Sequence, residues 1–177
     1  MDYLIVIDMQ NDFVSGPLGT PEARAIVPRV AEKISQYRHR ANADIFVTMD
    51  THDDDYLTTG EGHRLPVPHC IDATPGWCLN PEIQDALYSD FKIRYKNAFA
   101  EFGWDELLFA PSFEDRIELV GVCTDICVIS NALVLRSMFP KATIAVDASC
   151  CAGTTPEAHE AALLVMKSCQ IEITNEG

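Results

Sequence analysis

Short, uninterrupted apolar runs alternate along this chain with segments of helical periodicity. Leu4-Ile5-Val6-Ile7, Ala43 to Met49, Phe91 to Tyr95, Ile117 to Val122, Ala142 to Val146 and Ile171 to Ile173 read as strands. Continuous apolarity, rather than strict alternation, marks strands buried on both faces of a parallel sheet. Thr20-Pro21-Glu22 opens a helix with Thr as N-cap, Pro at the first helical position and an acid in the first turn. Ile26, Val30, Ile34 and Tyr37 continue it as an apolar stripe. Thr155-Pro156-Glu157 repeats the same start for a helix to about Lys167. Pro81 to Leu87 and Trp104 to Phe109 predict short helices, and 125–138 a longer apolar one. Strands alternating with helices imply right-handed βαβ units and a doubly wound α/β fold around a parallel sheet. No repeat, low-complexity tract or linker divides residues 1–177, which predicts a single domain.

Residues 50–80 break the pattern with an irregular stretch rich in Asp, His, Gly and Pro. Loops this long within a compact domain are usually functional. Open α/β sheets bind ligands beyond the carboxyl ends of their strands. Asp8, Asp50, Lys96, Cys127 and Asp147 all fall at or just past predicted strand ends. Their convergence says more than any one of them.

Cys127 follows the strand 117–122 and the helix start Thr124-Asp125. With Thr124 as N-cap, Cys127 sits in the first turn, where free N–H groups and the helix dipole favour a thiolate. A buried inert thiol is the competing reading. Asp8, at the end of a buried strand, is partly desolvated and suited to exchange protons near neutral pH. Satisfying loop N–H groups accounts for it equally well, and Asp12 reads as a loop or capping residue. Lys96 beside a buried carboxylate and a cysteine would stabilise both ionised forms. A surface lysine is the alternative, and Lys92 competes for the role. Asp50-Thr51-His52, with Glu61 and His69 on the same loop, offers N/O ligands to a divalent Zn, Mn or Fe ion. His63 rivals Glu61 as the fourth ligand, while Asp53-Asp54-Asp55 reads as a solvated turn. Cys150-Cys151, placed in a loop after Asp147, and Cys169, at a helix end, read as structural. The C-x₃-C spacing of Cys123 and Cys127 matches neither a zinc ribbon nor a C-x-x-C redox pair. His39 and His159 fall on helices without evident partners, and Trp77 and Trp104 read as core or pocket wall.

Composition narrows the function classes. A formal net charge of −14 disfavours nucleic acid and anionic membranes, and Arg38-His39-Arg40 is the nearest approach to a basic patch. Mean hydropathy is near zero, and no apolar run is long enough to span a bilayer. A strand beginning just after Met1-Asp2, with seven cysteines, predicts free thiols, no signal peptide and a cytoplasmic protein. Neither a Gly-x-Gly-x-x-Gly turn nor a Gly-Lys-Ser/Thr phosphate cradle is present, so nucleotide binding has no support.

Taken together, Ile-Asp-Met-Gln-Asn-Asp-Phe (7–13), Asp-Thr-His (50–52), Leu-Pro-Val-Pro-His-Cys (65–70), Thr-Pro-Gly-Trp (74–77), Lys-x-x-Phe (96–99) and Gly-Val-Cys-Thr-Asp-Ile-Cys (121–127) carry a resemblance. From about Leu4 to Ile173 the chain resembles the isochorismatase-like cysteine hydrolases, and within them the nicotinamidases. The resemblance implies a six-stranded parallel sheet with helices on both faces and a catalytic triad of Asp8, Lys96 and Cys127. It implies an oxyanion hole from the N–H groups of Cys123 and Cys127, with a non-proline cis peptide between Val122 and Cys123. It further implies a divalent ion, zinc first and manganese or iron otherwise, held by Asp50, His52, Glu61 and His69 to position the substrate. Phe13 and Phe99 would sandwich the ring. Leu65-Pro66-Val67-Pro68 stands where such enzymes often carry an aromatic residue, so the pocket wall differs, with Trp77 to compensate. The implied reaction converts nicotinamide, or a close heteroaromatic amide, to the acid and ammonia through a Cys127 thioester, in the setting of NAD salvage. The implied partners are a small-molecule amide and further copies of the chain in a homo-oligomer. The alternatives are a relative acting on isochorismate or a ureido or carbamoyl compound, and a non-catalytic metal- or ligand-binding protein of the same fold.

Overall fold

The computed structural model describes residues 1–89, 91–108 and 111–176. In chain order its elements are β1 (Asp2–Ile7), α1 (Asn11–Val14), α2 (Pro21–Arg38), β2 (Ala43–Asp50), α3 (Pro81–Leu87), β3 (Lys92–Lys96), α4 (Trp104–Leu107), β4 (Arg116–Val122), α5 (Ile129–Met138), β5 (Thr143–Ala152), α6 (Pro156–Ser168) and β6 (Glu172–Thr174). Among the described residues the six strands form one all-parallel sheet in the order β3-β2-β1-β4-β5-β6. Strand order reverses direction between β1 and β4, which is where a doubly wound sheet opens a ligand crevice.

The continuous apolarity of β1 follows from cover on both faces. Leu4 and Val6 pack with Val30, Ile34 and Tyr37 of α2 and with Ile83 and Leu87 of α3. Tyr3, Ile5 and Ile7 pack with Trp104 of α4, Leu135 of α5 and Leu163 and Met166 of α6. Thr20 Oγ1 accepts from Ala23 N at 3.0 Å and Thr155 Oγ1 from Ala158 N at 3.1 Å, so both Thr-Pro-Glu segments start helices as read. Each such cap is worth about 1 kcal/mol.

Three local expectations are corrected. The apolar helix begins as a π turn, Thr124–Val128, with Cys123 rather than Thr124 in the N-cap position. Thr124 lies inside the turn, fully buried, and its Oγ1 is 2.8 Å from His159 Nδ1, so the hydroxyl is committed elsewhere. That contact also gives His159 a partner, as Ser35 O at 2.6 Å does for His39. Second, β5 runs on to Ala152, so Cys150 and Cys151 lie in a strand and not in a loop. A register shift between Leu119 and Gly121 lets Cys151 and Ala152 pair with Gly121 and Val122. Third, the same extension leaves Asp147 inside β5, where Lys33 Nζ approaches it at 2.7 Å, away from the other strand-end residues. The expected helix end at Phe109 lies outside the described residues.

Candidate active site

Asp8 follows the last residue of β1, Asp50 and Lys96 close β2 and β3 as register partners, and Cys127 lies in the turn after β4. Four strands thus deliver four side chains to one level of the sheet. Gly121 permits the closest approach: at φ +119° it lies against Ile7, and a Cβ there would meet Ile7 O at 2.1 Å. The peptide between Val122 and Cys123 is cis.

Lys96 stands at the centre. Its Nζ is 2.7 Å from Asp8 Oδ2, 3.6 Å from Asp50 Oδ1 and 3.7 Å from Cys127 Sγ. All four residues are buried. Lys92, the rival lysine, is exposed and pairs with Asp44 instead. Thr48 Oγ1 donates to Asp8 Oδ1 at 2.6 Å, whereas Oδ2 meets Lys96 as an ion pair without a well-aligned hydrogen bond. Oδ2 therefore keeps a lone pair for a proton.

Burial pushes the Asp8 carboxyl up from its ordinary range, against the pull of the Lys96 charge. Burial also pushes the Cys127 thiol well up, reinforced by the Asp8 charge and opposed by Lys96. The thiolate expected at a helix start is thus corrected: desolvation outweighs the turn's dipole, and the resting sulfur keeps its proton. Burial would lower Lys96, but Asp8, Cys127 and Asp50 outweigh it and hold the ammonium charged.

Asp50, His52 and His69 form a buried trio whose ligand atoms lie within 4.8 Å of one another. His52 Nε2 is 2.9 Å and His69 Nε2 3.5 Å from Asp50 Oδ2. His69 Nδ1 lies 2.8 Å from Val67 O, an acceptor, so Nδ1 carries the proton and Nε2 presents its lone pair toward Asp50. Burial would raise the Asp50 carboxyl, yet His52, His69 and Lys96 hold it well below the usual range. One carboxylate and two imidazoles fit a divalent metal ion. Glu61 Oε1 stands 3.8 Å from His69 Nε2, within reach of the trio, whereas His63 is exposed.

Residues that local patterning does not single out hold this trio. Gln10, fully buried, clamps Asp50 from both sides: Nε2 donates to Asp50 O and Oε1 accepts from Asp50 N, each at 2.8 Å. Asp12 Oδ2 accepts from Cys70 N at 2.8 Å, tethering the loop just after His69. Tyr56 packs its ring 4.8 Å from His52 and 5.0 Å from His69. A glutamine directly past a buried strand is the one signal that could have marked Gln10.

The site opens into a cavity of about 680 Å³ lined by Phe13, Leu18, Leu65, Phe99, Ile126 and both Cys123 and Cys127, with Asp50, Glu61 and His69 among its polar groups. Burial pushes the Cys123 thiol up to about 12. Trp77 does not line this cavity; it stacks on Tyr95 at 5.6 Å and donates to Thr51 Oγ1, because its loop folds toward the β3 edge.

Residues 2–176 match the isochorismatase domain family model. The chain is 30% identical to a nicotinamidase/pyrazinamidase of Mycobacterium tuberculosis, over 98% of both chains. A pyrazinamidase of Pyrococcus horikoshii, solved in complex with zinc, superposes with a TM-score of 0.81 at 28% identity, covering 99% of each chain. A pyrazinamidase/nicotinamidase of Streptococcus mutans superposes with a TM-score of 0.79 at 26% identity, covering 98% of this chain and 99% of that one. With its sheet order, its strand-end cluster and a match over nearly its whole length, this chain belongs to the isochorismatase family.

Proposed function

We propose that the protein is a metal-containing cysteine amidohydrolase that converts nicotinamide, or a close heteroaromatic amide, to the carboxylic acid and ammonia. One observation carries the reading: Lys96 Nζ bridges Asp8 at 2.7 Å and Cys127 at 3.7 Å at the floor of the cavity, beside a buried donor set that fits a divalent ion. Relatives named for this activity support the substrate.

In this reading Cys127 passes its thiol proton to Asp8 Oδ2 as the sulfur attacks the amide carbon. A raised carboxyl beside a raised thiol suits a proton that shuttles rather than one lost to solvent. The oxyanion is held by the N–H groups of Cys123 and Cys127. Asp8 then delivers its proton to the amide nitrogen, the C–N bond breaks and ammonia leaves. Water attacks the thioester while Asp8 takes its proton; the sulfur regains one as the acid departs. Lys96 stays charged throughout and stabilises whichever neighbour is anionic.

Asp50, His52 and His69, with Glu61 beside them, would hold the ion, and zinc is our assignment. When bound, the ion supplies a Lewis-acidic anchor for a pyridine nitrogen or its ordered water. Phe13 and Phe99 flank the cavity where the ring would lie. A pyridine carboxylate product would feed NAD salvage.

Ammonia release from nicotinamide, with and without prior chelation and with bound metal quantified, tests the reading. Activity that falls on chelation and vanishes in Cys127→Ala supports it. No release from fully metallated protein refutes the substrate, and turnover retained by Cys127→Ala refutes the covalent mechanism.

A further inference from the structure

Asn131 interrupts the apolar face of α5 and is fully buried. Its amide has every hydrogen-bonding position filled. Oδ1 accepts from Glu101 N at 3.0 Å and from Trp104 Nε1 at 3.2 Å. Nδ2 donates to Phe99 O at 3.1 Å and to Cys127 O at 2.8 Å. Two N–H donors face the oxygen and two carbonyls face the nitrogen, so the amide has one satisfactory orientation. A buried polar group of this kind specifies geometry more than it adds stability, because any one broken bond leaves an orphan.

The four partners lie on two pieces of the site. Cys127 belongs to the π turn after β4, and Phe99 lies in the segment between β3 and α4 that follows Lys96 directly. Phe99 is half exposed and lines the cavity, so backbone anchorage, rather than packing of its ring, holds that wall in place. Cys127 is likewise held at its carbonyl from Asn131, while the neighbouring Val128 N bonds back to Cys123 O at 3.1 Å.

We infer that Asn131 is a positioning residue that sets the Cys127 nucleophile and the Phe99 cavity wall as one unit, a role that rests on the amidase reading above. It touches no reacting atom. It acts by fixing the backbone on which the sulfur is carried and, through a second bond from the same nitrogen, the surface against which a substrate ring would lie.

Asn131→Thr and Asn131→Val separate the two halves. A threonine hydroxyl can bond back to the carbonyl four residues earlier, here Cys127 O, but cannot reach Phe99. Valine has nearly the same shape and makes neither bond. The threonine variant is expected to keep kcat within about threefold of the parent while KM rises. The valine variant is expected to lose about 10- to 100-fold in kcat, the scale set by displacing a reacting group by about 1 Å. Equal kcat in the two variants, both folded and metallated, would overturn the nucleophile half; unchanged KM in both would overturn the wall half. If valine prevents folding, Asn131→Ser against Asn131→Ala makes the same comparison. If the parent releases no ammonia from nicotinamide, the amidase reading fails. Acylation of Cys127 by p-nitrophenyl acetate across the variants then decides the role of Asn131: slower acylation in valine than in threonine supports it and equal rates overturn it.

Discussion

Gly121→Ala tests how tightly the fold and the site are joined. Gly121 pairs with Ile7 in the β1·β4 register, and a Cβ at its φ of +119° would meet Ile7 O at 2.1 Å, Ile7 N at 2.9 Å and Ile7 C at 3.0 Å. Every one of these atoms is backbone, so no side chain can swing aside. Ordinary contact begins near 3.4 Å, which requires β1 and β4 to part locally by about 1.3 Å. Both are central strands, held on their outer edges by β2 and β5, so the displacement cannot be absorbed at a free edge. Overpacking costs about 1–3 kcal/mol, and a non-glycine residue in this backbone region about 1–3 kcal/mol more. For a domain of this size each kcal/mol lowers the melting temperature by about 2–4 °C, so a drop of about 5–20 °C is expected. Ile7 carries Asp8, and moving the proton carrier by about 1 Å should lower kcat/KM by about 100-fold. Calorimetry and ammonia release read the two effects together. Gly60→Ala is the matched control: its Cβ would find only Arg64 Nη1, at 3.4 Å, and stability should stay within about 0.5 kcal/mol. Gly121→Ala melting within about 2 °C of the parent, with undiminished turnover, would refute the close-approach argument.

His52→Ala should lower bound metal and raise KM for a pyridine amide more than it lowers kcat; unchanged metal content would sink the ligand assignment. Iodoacetamide at neutral pH should alkylate the exposed Cys78 and Cys169 ahead of Cys127, which is buried with its thiol pushed up, and faster labelling of Cys127 would reveal a resting thiolate. Burial would raise the Asp147 carboxyl, but Lys33, Ser149 and Asn175 hold it below the ordinary range, so its stabilisation is complete above the unfolded value of about 4 and fades as pH falls further. Urea midpoints at pH 7 and pH 3 should therefore fall more steeply for the parent than for Asp147→Asn, and parallel slopes would contradict the assignment.

Where burial and period agree, the elements are legible from the chain alone. The runs 4–7, 43–49 and 117–122 lie inside strands because each is covered on both faces, and Thr20 and Thr155 cap helices because both lie before a proline and an acid. Asp8, Asp50, Lys96 and Cys127 were readable for a related reason: each closes or follows a buried strand, and the strand order brings those ends together. Local pattern fails where a distant partner decides. His159 takes the hydroxyl that would have capped a regular helix at Thr124, and the register shift opposite Gly121 prolongs β5 and carries Asp147 out of the site. Gln10 and Asn131 were invisible as positioning groups because their partners lie 27 to 67 residues away, except for the Asn131 bond to Cys127 O. Trp77 belongs with them: aromatic and near the metal loop in sequence, it turns outward because Tyr95 on β3 offers a stacking face.

The two site carboxylates share one ammonium yet are driven in opposite directions. Lys96 approaches Asp8 more closely than Asp50, at 2.7 Å against 3.6 Å, and on that basis alone Asp8 should be the more acidic. The reverse holds, because burial and hydrogen bonding outweigh the distance. Asp8 is completely enclosed and receives one side-chain hydroxyl, from Thr48, whereas Asp50 faces two imidazoles as well as the lysine. A carboxyl pushed up can take a proton from a thiol and return it to a leaving amine; a carboxyl held down remains an anion able to hold a cation. Separating a pair of like groups in this way is how one site hosts both a proton carrier and a fixed charge. The division arises from which strand each residue ends: β1 is buried between β2 and β4, while β2 leads directly into the loop that carries His52 and His69. Exchanging Asp8 and Asp50 in role would need a different sheet, not a different pair of side chains.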